Sequence, residues 1–416
     1  MSAGAEGTAE AAAPPARAAW KREVLPPERT SEVVNALGHV TDMPVWVYRY
    51  RHAGLPWTLS IATGAPPGSG RLSLGGFRIA PAERADAPGY DNDREAIGLA
   101  IGMEEKVRWS RLLRVGGPLA RRDADSLVGG KCVLLPTADA RVGQPRDREL
   151  LDFALAALQD AEETAGIHIT TGQDLGHGML SDGRTTSLAY MHERFDGCTI
   201  SDTGKPTAEG NVQVLRGMLR ALDLPVNRAR VGLIGCGNIG SYVRKAMSTA
   251  GADTFVLESS AKRREEIASW GVPVFAPEDK AGFLAEPMDA LVVNAGGGSL
   301  DAATCEAVAA SPRTRIVCGC ENLAMPDPHG AKVLRAGGTM WCPTELGGMM
   351  GYLTAVEEYR SRKASAPFDV GVMFAAAARL EIVARDAARA VRESGFELSF
   401  EDAVRRDART RRWPDE

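Results

Sequence analysis

A short glycine-rich stretch at residues 228–242, RARVGLIGCGNIGSY, constrains the fold of this chain more than any other feature. A short apolar run over 231–234 leads into three glycines, and helical periodicity follows over 241–250. Strand, glycine turn and helix in this order are typical of a dinucleotide-binding unit, in which backbone N–H groups at the helix start face a pyrophosphate. The predicted cofactor contacts at this turn are Gly235, Gly237, Asn238, Ile239 and Gly240.

The next predicted strand, TFVLE, ends on an acidic residue, Glu258. A carboxylate at this position accepts hydrogen bonds from both ribose hydroxyls and repels a 2′-phosphate, so it favours NAD over NADP. Lys262, Arg263 and Arg264 follow closely and are able to meet a phosphate, so NADP stays open. The structural alternative is a tight strand-to-helix turn that holds no nucleotide.

Composition excludes several classes of protein. A chain of 416 residues is long enough for two or three domains, and its net charge of −5 is spread without a basic block, which argues against nucleic acid or an anionic membrane as partner. The sequence shows no apolar run of membrane length and no secretion signal. Seven scattered cysteines fit free thiols in a reducing cytoplasm, and no metal site is predicted. We therefore expect a cytoplasmic protein.

Periodicity along the chain predicts an α/β protein of two domains. Strand-like runs lie over 46–79, and helical periodicity appears over 94–114 and 148–165. Beyond residue 208 strands and helices alternate, which is typical of a doubly wound Rossmann sheet, and the last helical stretch is expected to return to the first domain. The predicted divisions are a disordered tail over 1–25, a substrate and oligomerisation domain over 26–203 and 352–416, and a Rossmann domain over 204–351.

Several short motifs share one order with a known enzyme family. They are LSLGGFR, AIGMEEK, VGGKCVLLP, TTGQDLGHG and TGKPTAEGNVQVLRGM, followed downstream by CENLAMPDPHGAKVL and TELGGMMG. In this order, from about residue 36 to about residue 410, the chain resembles the glutamate/leucine/phenylalanine/valine dehydrogenase family. The resemblance implies an oligomeric amino-acid dehydrogenase of two domains. Such an enzyme reversibly converts an L-amino acid to a 2-oxo acid and ammonia with a nicotinamide cofactor.

The resemblance also implies roles for individual residues. By position, Lys131 matches the catalytic lysine, Asp174 the acid that handles the amine, and Lys106 the lysine that binds the substrate carboxylate. Lys106 stands in a charge-rich EEKVR stretch, whose alternative is a solvated helix face. His177 is a candidate proton carrier, although a histidine in a glycine-rich loop is more often structural. The remaining implied contacts are Gly75, Gly76, Asn322, Met349 and Tyr352 for the substrate, and Thr207, Asn294, Ala295 and Asn322 for the cofactor.

The chemistry of deamination explains why such residues are needed. A lysine serves as a base near neutral pH only when burial and a neighbouring cation lower its pKa, and Lys106 is able to supply that cation to Lys131. Asp174 would balance the positive charge and accept a hydrogen bond from the substrate ammonium. Cleft closure would exclude water that the reaction does not use.

Some positions depart from the family pattern. Lys106 and Lys131 lie farther apart than in the family, so we expect an inserted loop at the cleft. Glu345 replaces an asparagine and Glu321 a small residue, while Tyr352 falls where relatives carry a small pocket residue. Carboxylates near an anionic substrate are unfavourable unless a cation pairs with them. Either the substrate is cationic or otherwise unusual, or these side chains point away.

The residue before the glycine pair bears on the substrate. Glutamate-specific relatives carry a lysine there, whereas this chain has Leu74, as the leucine/phenylalanine/valine branch does. The leading hypothesis is therefore an NAD-dependent dehydrogenase of a neutral or hydrophobic L-amino acid, an atypical member of that branch. Two alternatives stay open: a reductase of a preformed imine or ketone, and a nucleotide-binding homologue that has lost catalysis.

Overall fold

Two separate β-sheets organise the chain, which a computed structural model describes over residues 20–37 and 41–413. The strands of the first sheet are β1 (Trp20–Leu25), β2 (Trp46–His52), β3 (Thr58–Thr63), β4 (Leu72–Leu74), β5 (Phe77–Ile79), β6 (Leu127–Leu135) and β7 (His168–Thr170). Those of the second are β8 (Arg230–Ile234), β9 (Asp253–Leu257), β10 (Val274–Phe275), β11 (Ala290–Val293), β12 (Ile316–Gly319) and β13 (Met340–Trp341).

The helices cover both sheets and fill the C-terminal region. They are α1 (Pro27–Ala36), α2 (Ala82–Ala85), α3 (Asn92–Leu113), α4 (Pro118–Arg122), α5 (Asp147–Ala165), α6 (Ser187–His192), α7 (Gly204–Ala221), α8 (Asn238–Thr249), α9 (Ala261–Ser269), α10 (Lys280–Ala285), α11 (Ala302–Ala310), α12 (His329–Ala336), α13 (Thr344–Gly347), α14 (Met349–Lys363), α15 (Val370–Glu393) and α16 (Phe400–Ala408). None of the helices in the described ranges has the length and apolar character of a bilayer-spanning segment.

The first sheet is mixed. Its order is β1-β2-β3-β6-β4-β7, with β5 also paired to β6. The pairs β1–β2, β2–β3 and β3–β6 are antiparallel, whereas β4–β6, β4–β7 and β5–β6 are parallel. Helix α3 packs directly on β6 because Gly129 has no side chain: a Cβ there would lie 2.3 Å from the backbone nitrogen of Glu104. This close packing sets the C-terminal half of α3, with Lys106, beside the strand that carries Lys131.

The second sheet is entirely parallel, in the order β10-β9-β8-β11-β12-β13. Chain order reverses between β8 and β11, so ligands of such a fold bind at the carboxyl edge beside this switch point. The predicted doubly wound sheet is confirmed, and the predicted strand over 230–234 coincides with β8. Strands β10 and β13 were not predicted, because two residues each are too few to show a period.

The N-terminal prediction needs a correction. Trp20–Leu25 is a strand, paired with β2 along its whole length, so the proposed disordered tail over 1–25 is wrong for its last six residues. Leu25 is buried at the end of this strand, and the Trp20 ring packs edge-on to Tyr50 at 6.1 Å. These contacts stabilise an edge strand whose charged residues obscure the pattern of a strand in the sequence. Residues 1–19 lie outside the described residues.

The C-terminal helices bridge the two units of the fold, the first built around the sheet of β1–β7 and the second around the sheet of β8–β13. Helices α14 and α16 contact α3 of the first unit, whereas α15 packs along α7, which itself packs against α8 and β12 of the second. Gly217 on α7 permits this approach, since a Cβ there would lie 2.3 Å from the carbonyl oxygen of Glu381. The C-terminal segment therefore does not return to the first domain alone.

Candidate active site

A cavity of about 570 Å³ lies between the two units. Its walls come from the ends of β4 and β7, from the middle of β6, from α3, α7 and α14, from the glycine turn after β8, and from the loops after β9, β11 and β12. Of the residues predicted for the site, the following line it: Gly75, Gly76, Lys106, Lys131, Asp174, Thr207, Gly235, Gly237, Asn238, Ile239, Glu258, Asn294, Ala295, Asn322 and Tyr352.

The glycine turn has the geometry that a pyrophosphate requires. Gly235 adopts a φ of +85°, which side chains rarely allow. Gly237 has no atom within 4 Å of a hypothetical Cβ, so its backbone faces open space at the start of α8. Gly240 does not line the cavity; a Cβ there would lie 2.1 Å from the Gly235 carbonyl oxygen, so its role is close packing of helix on turn. The residues present therefore fit a dinucleotide.

The end of the cavity beside β9 combines an acid with polar and basic groups. Glu258 accepts hydrogen bonds from the backbone nitrogens of Cys236 at 2.8 Å and Ser260 at 2.9 Å. Ser259, Ser260 and Arg263 also line this end of the cavity. Arg263 is held by a 2.9 Å bond from its Nε to the Cys236 carbonyl. Both a carboxylate for ribose hydroxyls and a guanidinium for a phosphate are thus present.

At the opposite end, two polar side chains face the same space from the second unit. Asn294 accepts from Asn211 Nδ2 at 2.9 Å and from the Cys320 thiol at 2.9 Å, while its own buried Nδ2 has no partner. Thr207 lines the cavity and donates to the Thr203 carbonyl at 2.7 Å. An unpartnered donor in this position is suited to a ligand acceptor.

The central feature of the first unit is a buried pair of Lys131 and Asp174. Lys131 Nζ donates to Asp174 Oδ2, and Arg78 contacts Asp174 Oδ1 at 3.2 Å. The side chains of Lys131 and Arg78 are each 3% exposed. Burial lowers the pKa of Lys131, with the Arg78 charge adding to the effect and Asp174 opposing it. Burial alone would raise the pKa of Asp174, but the two cations outweigh it and hold that pKa far below its usual range.

Lys106 approaches the cavity from α3 and reaches across it. Its Nζ donates to Asn322 Oδ1 at 2.7 Å, in the loop after β12. Burial lowers the pKa of Lys106, and the Lys131 charge acts in the same direction while Glu345 opposes it. The Tyr352 hydroxyl donates to the Lys106 carbonyl at 3.1 Å and also contacts Ser110.

The two unexpected carboxylates differ in position, and Glu321 is the one that lines the cavity. Glu321 is 2% exposed and accepts from the backbone nitrogens of Ala295 and Ser299, each at 2.9 Å, and from the Ser299 hydroxyl at 2.7 Å. Glu345 does not line the cavity; it lies against α3 at Gly102, where a Cβ would be 3.9 Å from its Oε1. Burial raises the pKa of both carboxyl groups, although the Glu321 hydrogen bonds oppose the shift.

Three further expectations require correction. Met349 is fully buried in the core and does not line the cavity, because it lies on the inner face of α14. The extra segment before Lys131 forms α4 and packs on α14, where Glu357 accepts from the Leu119 and Ala120 nitrogens, so it is not a loop at the cleft. His177 bonds to the Phe77 carbonyl and to Ser187 instead of facing the cavity, which is a structural role.

Sequence reasoning missed several lining residues. Arg78 is the most consequential, because it contacts Asp174 directly. A signal was present: Arg78 stands between two apolar residues of a strand, FRI, where a charge requires a buried partner. Other residues that line the cavity and were not predicted as site residues include Met103, Thr170, Gln173, Ser259, Ser260 and Cys320.

Fold and cleft together define a two-domain α/β protein with a dinucleotide-type site facing a buried lysine–carboxylate pair. No protein-family model matches the sequence. No curated protein matches it either.

Solved structures do resemble it. L-Tryptophan dehydrogenase from Nostoc punctiforme gives a TM-score of 0.57 at 17% identity, covering 91% of this chain and 97% of that one. Hetero-hexameric glutamate dehydrogenase from Thermus thermophilus gives 0.59 at 17% identity, covering 94% and 87%. Glutamate dehydrogenase from Plasmodium falciparum gives 0.59 at 12% identity, covering 92% and 84%. These neighbours are amino-acid dehydrogenases, in agreement with the family resemblance of the motifs, and at these identities they establish the shared fold.

Proposed function

We propose that this protein is an NAD-dependent dehydrogenase of a neutral or hydrophobic L-amino acid. The observation that carries the proposal is the convergence of Lys106, Lys131 and Asp174 on the cavity that also contains the glycine turn. Bound NAD would accept a hydride from the substrate α-carbon. The resulting iminium must then be attacked by water, so a base is needed close to that carbon.

The charges of the first unit suit these steps. The Lys106 ammonium binds the substrate carboxylate, close to the backbone of Gly75 and Gly76. Lys131, whose pKa is lowered by burial, takes a proton from the attacking water in its neutral form. Asp174 accepts a hydrogen bond from the substrate amine and balances the buried cations. Gly76 supports this assignment, because a Cβ there would lie 3.0 Å from Lys131 Nζ and 3.1 Å from Asp174 Oδ2.

The part of the cavity near Lys106 favours an uncharged side chain. Leu74, Met103, Tyr352 and Ala355 line it, together with Gly348 and Gly351. The Tyr352 hydroxyl is engaged by Lys106 and Ser110, so its ring is the part that a ligand would meet. Burial of a bulky apolar group against such a wall contributes about 1.5–3 kcal/mol.

Different residues favour NAD and NADP as the cofactor. Glu258 favours NAD through the ribose hydroxyls. NADP is the second candidate, and the observation behind it is that Arg263, Ser259 and Ser260 line the cavity beside Glu258. A titration of the protein with each dinucleotide, followed by intrinsic fluorescence, separates the two.

A homo-oligomer in the cytoplasm remains part of the proposal. The Thermus neighbour is a hetero-hexamer, which gives a precedent for assembly on this fold. Sedimentation velocity on the purified chain tests it, and a single species at the mass of one chain would refute it.

The test of the activity is a panel of L-amino acids with each dinucleotide, and of 2-oxo acids with and without ammonia. Turnover of neutral amino acids, with ammonia required in reverse, supports the proposal. Carbonyl or imine reduction without ammonia would indicate a reductase, and binding without turnover an inactive homologue.

Lys131→Met sharpens that test. We expect a loss of about 10²–10⁴-fold in kcat, the usual contribution of a general base, with unchanged dinucleotide affinity. Lys332→Met, at an exposed position on α12, is the matched control and should keep full activity. Turnover retained in Lys131→Met would contradict the assigned role.

A further inference from the structure

A continuous series of hydrogen bonds runs from the second unit across the cleft to Asp174. Arg84 on α2 donates to the carbonyl oxygen of Gly296, in the loop after β11. The same guanidinium donates to Glu95 Oε1 at 2.9 Å. Arg78 donates to that same oxygen and also contacts Asp174 Oδ1 at 3.2 Å. Asp174 thus connects to the opposite unit through three charged side chains.

We propose that Arg84, Glu95 and Arg78 are positioning residues that fix the Asp174 carboxylate when the cleft closes over the nucleotide. The inference deepens the proposed function and rests on it for the role of Asp174. It adds a coupling between closure and the orientation of the acid, through residues that lie outside the reacting centre.

The exposed fractions of the side chains identify Arg84 as the residue of this series whose contact would be lost on opening. The side chains of Arg78 and Glu95 are 3% and 8% exposed, so their contact belongs to the interior of the first unit. Arg84 is 34% exposed, and its partner Gly296 is on the surface of the second unit. The bond between Arg84 and Gly296 is therefore the link that opening would break, while the buried links persist.

The acceptor loop is held so that it moves with the rest of the cleft wall. Glu321 bonds to the nitrogens of Ala295 and Ser299, on both sides of Gly296. The residue after Glu321 is Asn322, whose Oδ1 accepts a hydrogen bond from Lys106 Nζ at 2.7 Å. Both cross-cleft bonds thus end on two loops that one buried carboxylate ties together, so they form and break as a unit.

Shared contacts give the coupling its direction. Arg84 and Arg78 both donate to Glu95 Oε1, and Arg84 also donates to the Gly296 carbonyl. When the cleft closes, Arg84 is anchored at both ends, so it fixes Glu95 and, through Glu95, the guanidinium of Arg78 against Asp174. When the cleft opens, Arg84 loses its anchor on Gly296, which weakens the restraint on Asp174. The Leu175 nitrogen, which donates to Asp174 Oδ1 at 2.6 Å, reports on this restraint.

The experiment compares Arg84→Met with Arg94→Met in the full chain. Arg94 is a matched control, because it is exposed and donates to a backbone carbonyl, that of Ala36, within its own unit. Hydrogen–deuterium exchange of residues 172–176 is measured with and without NAD, and in parallel with NADP. Steady-state kinetics give kcat and KM for the amino acid, and titration gives the dinucleotide Kd.

We expect dinucleotide to slow exchange at Leu175 at least fivefold in the wild type and in Arg94→Met, and less than twofold in Arg84→Met. We also expect kcat to fall about fivefold to tenfold in Arg84→Met, with KM and Kd within twofold of the wild type. Protection of Leu175 that survives in Arg84→Met would overturn the proposal, as would a wild type in which neither dinucleotide slows exchange. A wild type that shows this coupling but turns over no amino acid would instead refute the proposed function alone.

Discussion

Replacing Asp174 by asparagine removes one negative charge from between two buried cations. The Asp174 side chain is 11% exposed and touches both Lys131 and Arg78, which are 3% exposed. Such a site differs from a surface ion pair, whose loss changes stability by less than about 1 kcal/mol. Breaking a buried pair leaves an uncompensated charge and destabilises by about 3–5 kcal/mol. We expect the lower end, because Arg78 keeps its contact with Glu95.

The pH dependence follows from the two pKa shifts. The folded pKa of Asp174 is lowered, so its stabilisation is fully present above the unfolded value of about 4 and is lost as pH falls below it. The difference between wild type and Asp174→Asn should therefore shrink below about pH 4. Asp174 also raises the pKa of Lys131, which burial lowers. Without Asp174 that pKa falls further, so the variant should regain stability as pH rises toward about 10, the unfolded lysine value.

The assay is urea unfolding of wild type and Asp174→Asn at a series of pH values, followed by far-ultraviolet circular dichroism. A loss of about 3 kcal/mol at neutral pH corresponds to a Tm lower by about 6 °C, at roughly 2 °C per kcal/mol for a large domain. The reasoning is refuted if the two proteins have equal stability at neutral pH, or if the difference grows toward either extreme.

Two further predictions concern the glycine turn and His177. Gly240→Ala should unfold at lower temperature and lose dinucleotide binding, since its Cβ would lie 2.1 Å from the Gly235 carbonyl oxygen. Gly237→Ala should keep the wild-type Tm and lose dinucleotide binding only. Thermal shift measures the Tm and fluorescence titration the binding of each variant, and an equal loss of Tm in the two variants would contradict the distinction. His177→Gln should lower Tm through its bonds to Phe77 and Ser187 yet leave the pH dependence of kcat/KM unchanged, and a displaced limb of that profile would show that His177 carries a proton.

The doubly wound parallel sheet could be predicted because its strands are buried on both faces. Val231–Ile234 and Ala290–Val293 form continuous apolar runs between helices, and such runs stand out from their surroundings. Trp20–Leu25 gave no such signal, since Lys21, Arg22 and Glu23 interrupt its apolar residues, and the first two of them are exposed on an edge strand. Its pairing partner is more than twenty residues away, and local pattern carries no information on a contact of that kind.

Residues of the α14 region show where prediction of side-chain direction fails. Met349 and Tyr352 lie three positions apart at the start of α14, so sequence spacing alone puts both on one side of the helix. Only Tyr352 lines the cavity, because its hydroxyl is drawn to Ser110 and the Lys106 carbonyl on α3. Met349 packs into the core that α7 and α15 share. The outcome depends on tertiary neighbours that no pattern within α14 specifies.

The two carboxylates that first pointed to an unusual substrate illustrate a more general limit. Coulomb repulsion between a buried carboxylate and an anionic ligand follows from residue type alone, and on that basis Glu321 argues against an ordinary amino acid. The backbone conformation of the loop after β11 weakens this conclusion. The loop after β11 offers the nitrogens of Ala295 and Ser299 to the carboxylate, so protein donors compensate its charge although Glu321 lines the cavity. The same residue ties the loop after β11 to the loop after β12 and so holds one wall of the cleft together.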